Sequence, residues 1–408
     1  MRKAVLVSLD AFFTADVPRL DPEGFLARMI REGAFCRRVE TIFPALTYPI
    51  HVTMITGCDP DRTGVGQNQP PQPDTPKKER VWYWERKYIR VPTLFDAVRE
   101  AGGQSCSILW PVGCKNPAVR WCLPEVHPLK GENATLKALK FGTPGYLLMG
   151  EKRFGKLRRG IAEPWLSDYA AAMGMDTVRR HRPDFSAIHL IDLDAIRHRY
   201  GTFSPEAMEA LKRNDRRLEM LWQAMQETPG MEDALLIAVS DHGQEDIRKT
   251  VNLTEKIKQL GTGRQVFVQS NGMSACFFAG KDGCENPGKL IALLETHREE
   301  LGISRIYTRK ELDAMHAVDG PLFAVEAAEG VAFSDWLDEE KREAATHGFG
   351  PGREADLCLF TIYGKGIRQG AEIESMQMRD VGPTIAGLMG LHLPEADGKD
   401  RSGEFLCS

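Results

Sequence analysis

The chain has 408 residues, of which 42% are hydrophobic and 27% charged, and its formal net charge is −4. This length allows a large core with insertions, and the composition is typical of a globular protein. The small net charge gives no general attraction to nucleic acid or to anionic membranes, so we expect neither as a partner, although local basic patches can still bind phosphate. No apolar run of about 18 residues predicts a transmembrane helix.

Cysteine usage and the first residues indicate a compartment. Nine cysteines are spread from Cys36 to Cys407 without a CxxC pair, which favours a reducing environment. The apolar run that follows Met1-Arg2-Lys3 is too short for a signal peptide and has no small-residue cleavage site. We therefore expect a cytoplasmic protein, and the sequence gives no prediction of its oligomeric state.

Short apolar runs alternate with amphipathic stretches, which is typical of an α/β fold. In chain order we predict a strand over Ala4–Leu9, helices over Phe25–Glu32 and Thr93–Ala101, a strand over Ser105–Trp110, a helix over Trp165–His181, a strand over Phe185–Ile191, a helix over Pro205–Gln226 and a strand over Ala234–Val239. Continuous apolar runs mark parallel strands that are buried on both faces. The prediction is a doubly wound, mostly parallel sheet.

Two segments interrupt this alternation and divide the core into three parts, 1–112, 165–250 and 346–408. Residues 113–164 are rich in Gly, Pro and Lys, and we predict that they form an irregular inserted lid. Residues 251–345 are predicted to form a smaller α/β cap subdomain, with strands at Gln265–Val268 and Ala275–Phe278 and a helix over Gly288–Leu301.

Acidic and histidine residues follow three of the predicted strands. They are Asp10, then Asp192, Asp194 and His198, then Asp241 and His242, and His347 opens the last core part. Ligands of open α/β sheets bind at the carboxyl ends of the strands. Singly, each residue is explained equally well as a turn, a cap or a surface pair. Together they predict a site of carboxylates and imidazoles, which suits zinc, with manganese or iron as alternatives.

A candidate nucleophile lies elsewhere in the first core part. The run Phe43-Pro-Ala-Leu-Thr47-Tyr-Pro49 leads to Gly57 and is typical of a loop that enters a short helix. Thr47 then stands at the helix N-terminus, where amide groups and the helix dipole favour an oxyanion. Thr47 is alternatively an ordinary N-cap residue. A threonine hydroxyl needs a base or a metal ion to become a nucleophile.

Four ordered segments resemble the nucleotide pyrophosphatase/phosphodiesterase branch of the alkaline phosphatase superfamily. They are the run from Leu46 to Gly57, the segment Asp194-Ala-Ile-Arg-His198-Arg-Tyr-Gly201, the segment Ser240-Asp241-His242-Gly243 and the late pair His347-Gly348. The branch has a Thr-Phe/Tyr-Pro nucleophile loop first and the other three motifs in this same order. The resemblance therefore implies an alkaline phosphatase-like core.

The resemblance also implies roles for individual residues. One divalent ion is held by Asp194, His198 and His347. A second is held by a group of four residues, namely Asp10, Thr47, Asp241 and His242. Thr47 is the nucleophile, and Asn68 matches the position whose amide contacts a phosphate oxygen. Two ions are implied, with Zn²⁺ favoured and Mn²⁺ as the alternative.

The implied function is a two-metal phosphodiesterase or nucleotide pyrophosphatase-like hydrolase that forms a covalent phospho-threonine intermediate on a small, nucleotide-like phosphate ester. The branch often has Asn after the nucleophile proline, where this chain has Ile50. A phosphonate hydrolase that cleaves a carbon–phosphorus bond, a phosphomonoesterase and a phosphomutase remain alternatives on the same metal core. A non-catalytic metal-binding protein is a fourth, although Thr47 and all six other implied ligands are present.

Overall fold

The structure is a computed structural model that describes residues 1–73, 75–76, 79–335 and 343–407. The described strands, in chain order, are β1 (Ala4–Leu9), β2 (Ala34–Glu40), β3 (Ser105–Ile108), β4 (Trp121–Leu123), β5 (Phe185–Leu190), β6 (Leu235–Val239), β7 (Glu245–Asp246), β8 (Lys249–Asn252), β9 (Val266–Ser270), β10 (Ser274–Ala279), β11 (Ile303–Thr308), β12 (Phe323–Ala327), β13 (Val331–Ser334), β14 (Ala345–Thr346), β15 (Leu357–Tyr363), β16 (Ala371–Ile373) and β17 (Met376–Gln377).

The described α-helices are α1 (Phe25–Glu32), α2 (Thr47–Thr56), α3 (Pro60–Thr63), α4 (Leu94–Glu100), α5 (Ala134–Phe141), α6 (Pro144–Phe154), α7 (Trp165–His181), α8 (Asp192–Tyr200), α9 (Pro205–Gln226), α10 (Leu253–Gln259), α11 (Pro287–Thr296), α12 (Arg298–Leu301), α13 (Arg309–Ala314), α14 (Val381–Met389) and α15 (Ser402–Phe405). Within the described ranges, no helix combines the length and apolar character that crossing a bilayer requires.

The core is a nine-stranded sheet in the order β16-β2-β15-β6-β1-β5-β3-β4, with β17 beside β2. β1 lies near its middle and pairs in parallel with β5 and β6. These three strands are buried along their whole length. Only β15 runs against its neighbours β2 and β6 within this order, so the predicted mostly parallel sheet is confirmed.

Alternate residues of β1 feed two hydrophobic layers on opposite faces of the sheet, as the two-residue period of a strand requires. Ala4 and Leu6 pack in the layer that contains α2 and α14. Val5, Val7 and Leu9 pack in the layer that contains α1, α7 and α9. The sheet is therefore covered on both sides, which explains why its central strands are apolar at every position.

Most predicted boundaries agree with the structure to within two residues. The predicted helices Phe25–Glu32, Trp165–His181 and Pro205–Gln226 are confirmed as α1, α7 and α9. The predicted helix over Gly288–Leu301 is instead two helices, α11 and α12, because His297 between them has φ −105° and ψ 14°, outside the helical well.

The lid is more regular than predicted. It contains the helices α5 and α6 and also β4, which pairs with β3 in the core sheet, so residues 121–123 belong to the core and not to an insertion. Two helices start within this segment: the Asn133 side chain accepts a hydrogen bond from Leu136 N and caps α5, and Pro144, one of the prolines that suggested irregular chain, is the first residue of α6. The prediction of an irregular lid was therefore wrong.

The cap forms a sheet of its own. Its strands follow the order β11-β12-β10-β9, and all three pairings are antiparallel. The predicted strands at 265–268 and 275–278 fall in β9 and β10.

Candidate active site

The predicted site residues meet at the carboxyl edge of the central strands. Asp10 directly follows β1, and Asp241 and His242 lie just beyond β6. Asp194 and His198 lie one turn apart in α8, which begins two residues after β5. His347 follows β14. All of these side chains are buried or half-buried, so this edge of the sheet carries a dense, shielded group of carboxylates and imidazoles.

Thr47 is the first residue of α2. Leu46 is the extended N-cap residue, so Thr47 is not itself the cap. The helix ends at Gly57, whose φ of 70° lies in the left-handed region that glycine tolerates. The Thr47 hydroxyl Oγ1 lies 3.2 Å from Nε2 of His242. The predicted nucleophile and one predicted ligand are therefore in direct contact.

Asn68 shapes the start of this helix. Its Oδ1 accepts a hydrogen bond from the Tyr48 N–H at 3.0 Å. Pro49 has no N–H, and the Ile50 N–H donates to the Leu46 carbonyl. The Thr47 N–H and the Asn68 Nδ2 amino group are thus the donors that this terminus can offer to an anion, fewer than a helix start ordinarily presents.

Among the residues that the structure describes, two groups of ligand atoms lie close enough to hold a metal ion, with all atoms of a group within 4.8 Å of one another. One group is Asp194, His242 and His347, and the other is Asp10, Asp241 and His242. His198 Nε2 lies 3.3 Å from Asp194 Oδ1 at the edge of the first group. His242 is shared by both groups, whereas the sequence assigned it to one ion. The division of ligands between two ions remains a prediction.

Three histidines share one orientation. The Nδ1–H groups of His198, His242 and His347 each donate to a backbone carbonyl, those of Ala345, Gly243 and Ala45, at 2.9, 3.2 and 3.0 Å. This fixes the tautomer and leaves each Nε2 as the atom available to a metal ion. The rings of His242 and His347 are stacked with centroids 3.8 Å apart.

Gly348 sets the position of His347. Its φ is 89°, and a Cβ at this residue would collide with the carbonyl oxygen of Asn271. The close approach is needed because the His347 carbonyl accepts a hydrogen bond from Met273 N at 2.8 Å in the cap. The His-Gly pair that the sequence singled out therefore fixes a predicted ligand through a backbone position that only glycine fills without strain.

The second group carries uncompensated negative charge. Within the described ranges, Asp10 Oδ1 and Asp241 Oδ2 are buried without a hydrogen-bond partner. Burial and the Asp194 charge raise the pKa of Asp241 to about 7, and burial with the Asp194 and Asp241 charges raises the pKa of Asp10 well above its usual range. A cation between the two carboxylates would satisfy both oxygens, so this donor set fits a divalent metal ion.

The first group has a different charge balance. Burial opposes ionisation of Asp194, but the neighbouring His198 charge holds the pKa of that carboxyl below its usual range. Burial lowers the pKa of His347, and burial together with His347 lowers the pKa of His242 well below its usual range. Neutral imidazoles at His242 and His347 beside an ionised Asp194 are ligand forms that suit a metal ion. Burial opposes the charge on His198, but Asp194 raises the pKa of that imidazole well above its usual range, so His198 must lose a proton to bind an ion.

Two histidines that the sequence analysis missed lie behind the ligands. His189, in β5, places Nε2 2.9 Å from Asp10 Oδ2 and donates from Nδ1 to the Leu109 carbonyl at 3.1 Å. His51, one turn after Thr47 in α2, donates from Nδ1 to the Thr47 carbonyl at 2.8 Å. Both are fully buried. The available signals were an imidazole inside an otherwise buried strand and the four-residue spacing from Thr47.

A further polar residue holds a ligand in place. Gln244 donates from Nε2 to the Asp194 carboxylate at 2.5 Å and is itself buried. The oxygen that it contacts, Oδ1, is the one nearest His198. Gln244 thus orients Asp194, as residues behind metal ligands commonly do.

Comparison with known proteins identifies the family of the chain. The family described as type I phosphodiesterase/nucleotide pyrophosphatase matches residues 4–353. Human ectonucleotide pyrophosphatase/phosphodiesterase family member 1 is 21% identical over 223 residues, which are 54% of this chain and 21% of that protein. Venom phosphodiesterase 2 of Crotalus adamanteus is 34% identical over 73 residues, 18% of this chain and 9% of that protein. The chain thus spans about a fifth or less of the length of these two curated relatives.

Solved structures share the fold across the whole chain. Murine ectonucleotide pyrophosphatase/phosphodiesterase 5 superposes with a TM-score of 0.73 at 16% identity and covers 100% of both chains. An inactive variant of the same mouse protein, solved in complex with AMP, gives the same TM-score of 0.73. Because the family match covers well over half of the sequence, this chain belongs to the type I phosphodiesterase/nucleotide pyrophosphatase family, the branch of the alkaline phosphatase superfamily that its motifs predicted.

Proposed function

We propose that the chain is a two-metal phosphodiesterase or nucleotide pyrophosphatase-like hydrolase with Thr47 as its nucleophile. The observation that carries the proposal is the position of the Thr47 hydroxyl at the start of α2, 3.2 Å from His242 Nε2 and beside two groups of metal-ligand atoms. Family membership supports the same reaction class.

The residues predicted to hold one ion are Asp194, His198 and His347, and those predicted to hold the other are Asp10, Thr47, Asp241 and His242. Bound divalent ions supply Lewis-acid stabilisation of charge on phosphate oxygens and lower the pKa of a coordinated hydroxyl. Mixed imidazole and carboxylate donors favour Zn²⁺, with Mn²⁺ as the alternative.

The remaining steps belong to the chain itself. Thr47 Oγ1 attacks phosphorus, a P–O bond forms to threonine, the bond to the leaving oxygen breaks, and the proton of the threonine hydroxyl ends on the departing alcohol. Water then cleaves the threonine ester and restores the hydroxyl. The Thr47 N–H and Asn68 Nδ2 are proposed to bind a non-bridging oxygen, and the hydrogen bond from the Tyr48 N–H to Asn68 Oδ1 supports this role by orienting the amide.

The proposed substrate is a nucleotide-like phosphate ester. The AMP complex of the murine structural neighbour supports a nucleotide as the ligand of this fold. We also propose a cytoplasmic location, which is supported by nine cysteines that are all free thiols.

The test compares bis(p-nitrophenyl) phosphate with p-nitrophenyl phosphate after reconstitution with zinc or with manganese, while bound metal is counted. Turnover of the diester well above that of the monoester is expected. A strong monoester preference would favour a phosphatase or phosphomutase. Inactivity toward both esters with two ions bound would favour a phosphonate, and inactivity without bound metal would contradict the proposed site.

A further inference from the structure

The outer surface of the lid is both apolar and basic. Among the described residues, nine large hydrophobic side chains are exposed, and five of them fall within the lid: Leu136, Leu148, Met149, Leu157 and Ile161. The lid also has ten basic and four acidic residues, a net charge of +6 in a chain whose total is −4. Apolar exposure and positive charge are thus concentrated in one eighth of the sequence.

Helix α6 is the centre of this surface, because two of its faces are apolar. Its inner face packs on α7: Leu147 is buried in the hydrophobic layer of that helix, and the Tyr146 hydroxyl lies 2.8 Å from the Thr177 hydroxyl. Its outer face carries Leu148 and Met149, which are 61% and 47% exposed. The core-facing stripe of an amphipathic helix accounts for Leu147 but not for these two adjacent exposed side chains.

The cations accompany these exposed apolar side chains. Lys152 lies four residues after Leu148 and three after Met149, on the same face of α6, and it is exposed. Lys156 and Leu157 follow the end of the helix, both exposed, and Arg159 and Ile161 continue the alternation. Separate apolar tips with a lysine or arginine beside each are the pattern of a helix that lies in a lipid–water interface.

We propose that the outer lid surface, defined as Leu136, Leu148, Met149, Leu157 and Ile161 with the neighbouring lysines and arginines, docks on an anionic lipid surface. The apolar tips enter the boundary between headgroups and acyl chains, and the cations contact lipid phosphates while their alkyl stems lie along the apolar layer. This proposal goes beyond the hydrolase function and does not depend on it.

Repulsion between like charges disfavours a second copy of this chain as the partner of the outer lid surface. A symmetric dimer through this patch would bring the exposed cations Lys152, Lys156 and Arg159 of two copies together, since a twofold interface pairs the same surface with itself. The sequence expectation of no membrane partner came from the net charge of the whole chain. The total of −4 does not reveal the positive charge of the lid, because the rest of the chain carries a charge of −10.

Co-sedimentation with vesicles tests the proposal. The intact protein is mixed with phosphatidylcholine vesicles, with or without phosphatidylserine, at low and at high salt. We expect at least about tenfold stronger partition onto the vesicles that contain phosphatidylserine, and loss of the difference at high salt. The double variants Leu148→Ser with Met149→Ser, and Lys152→Glu with Lys156→Glu, should each lose most of the binding.

Matched substitutions on α9 serve as controls. Met220 is 49% exposed and the Lys212 side chain is 63% exposed, so Met220→Ser and Lys212→Glu change similar surface residues outside the lid. They should bind vesicles as the wild type does, and all variants should show the wild-type unfolding temperature. Failure of the wild type to bind acidic vesicles would overturn the proposal, as would equal binding by lid and control variants. Concentration-dependent self-association that only the lid variants abolish, without vesicle binding, would overturn it in favour of a protein interface.

Discussion

Replacing Asp241 with asparagine should have opposite effects on stability with and without metal. Asp241 Oδ1 accepts hydrogen bonds from the Ala11 and His242 N–H groups, which an amide oxygen can also accept. Its Oδ2 is buried without a hydrogen-bond partner in the described part of the chain. The substitution therefore removes a charge while it preserves shape and two hydrogen bonds.

The magnitude follows from the pKa of this carboxyl. Burial and the Asp194 charge raise it from 3.8 to about 7. A raised carboxyl pKa contributes stability that is complete below the unfolded value and is lost as pH rises through the folded value. A pKa rise of about three, at 1.36 kcal/mol for each pKa unit, means that the folded state loses at most about 4 kcal/mol of stability at pH 8. Because Asp241 titrates together with Asp10, we expect about 2 kcal/mol of stabilisation by Asp241→Asn in EDTA.

In zinc, the wild type should be more stable than Asp241→Asn, the reverse of their order in EDTA. An ion at one hundred times its dissociation constant stabilises the folded state by about 2.7 kcal/mol, and the variant lacks one predicted ligand. Urea unfolding at pH 8 in EDTA and in zinc measures both effects. Asp192→Asn is the matched control, because Asp192 is fully buried but paired with Arg213 and Arg217 at 2.7–2.8 Å. It should destabilise the protein in both buffers. A loss of stability by Asp241→Asn in EDTA would refute the reasoning.

Three further outcomes are expected. Thr47→Ala should lower turnover by at least about 10³-fold and keep the bound metal, measured by kinetics and metal analysis; full activity would contradict the nucleophile role. Burial raises the pKa of Glu163 from 4.5 to about 7, so the wild type loses stability as pH rises through about 7. Glu163→Gln should therefore be about 2 kcal/mol more stable than the wild type in urea unfolding at pH 8.5. Equal free energies of unfolding for the two proteins would contradict the raised pKa. Gly348→Ala should cost about 1–3 kcal/mol and weaken zinc binding by displacing His347, because its Cβ meets the Asn271 carbonyl; unchanged zinc affinity would contradict that positioning.

Elements specified by local pattern were predictable from the sequence. The run Ala4–Leu9 is apolar at every position, and the structure buries it on both faces as β1. Helix α9 has an apolar stripe with Ser204 as its N-cap and Pro205 at its first position, which fixes its start. Such signals are contained in a few neighbouring residues and do not depend on the rest of the fold.

Elements specified by distant contacts were not predictable. β2 has the adjacent exposed residues Arg37 and Arg38 in its middle, which interrupt the apolar run. It is a strand because β15, more than 300 residues later, pairs with it. The lid helices were missed for a related reason. Their many lysines and glycines interrupt the apolar pattern, and the inner face of α6 is recognised only from its packing on α7.

The candidate site divides in the same way. Its predicted ligands were identified because four motifs occur in a fixed order and because Asp10, the Asp194–His198 pair and the Asp241–His242 pair each come after a predicted strand. The layer behind them depends on strand register: His189 reaches Asp10 because β5 lies parallel to β1 with Ser8 opposite His189. No local pattern contains that pairing.

The most direct test of the central claim is to trap the intermediate on Thr47. The zinc-loaded protein is mixed with bis(p-nitrophenyl) phosphate, quenched in acid within the first turnover and analysed by peptide mass spectrometry. The account predicts a p-nitrophenyl phosphoryl group on the peptide that contains Thr47, and its absence from Thr47→Ala. Rapid release of p-nitrophenol with no covalent adduct, or an adduct on another residue, would contradict Thr47 as the nucleophile.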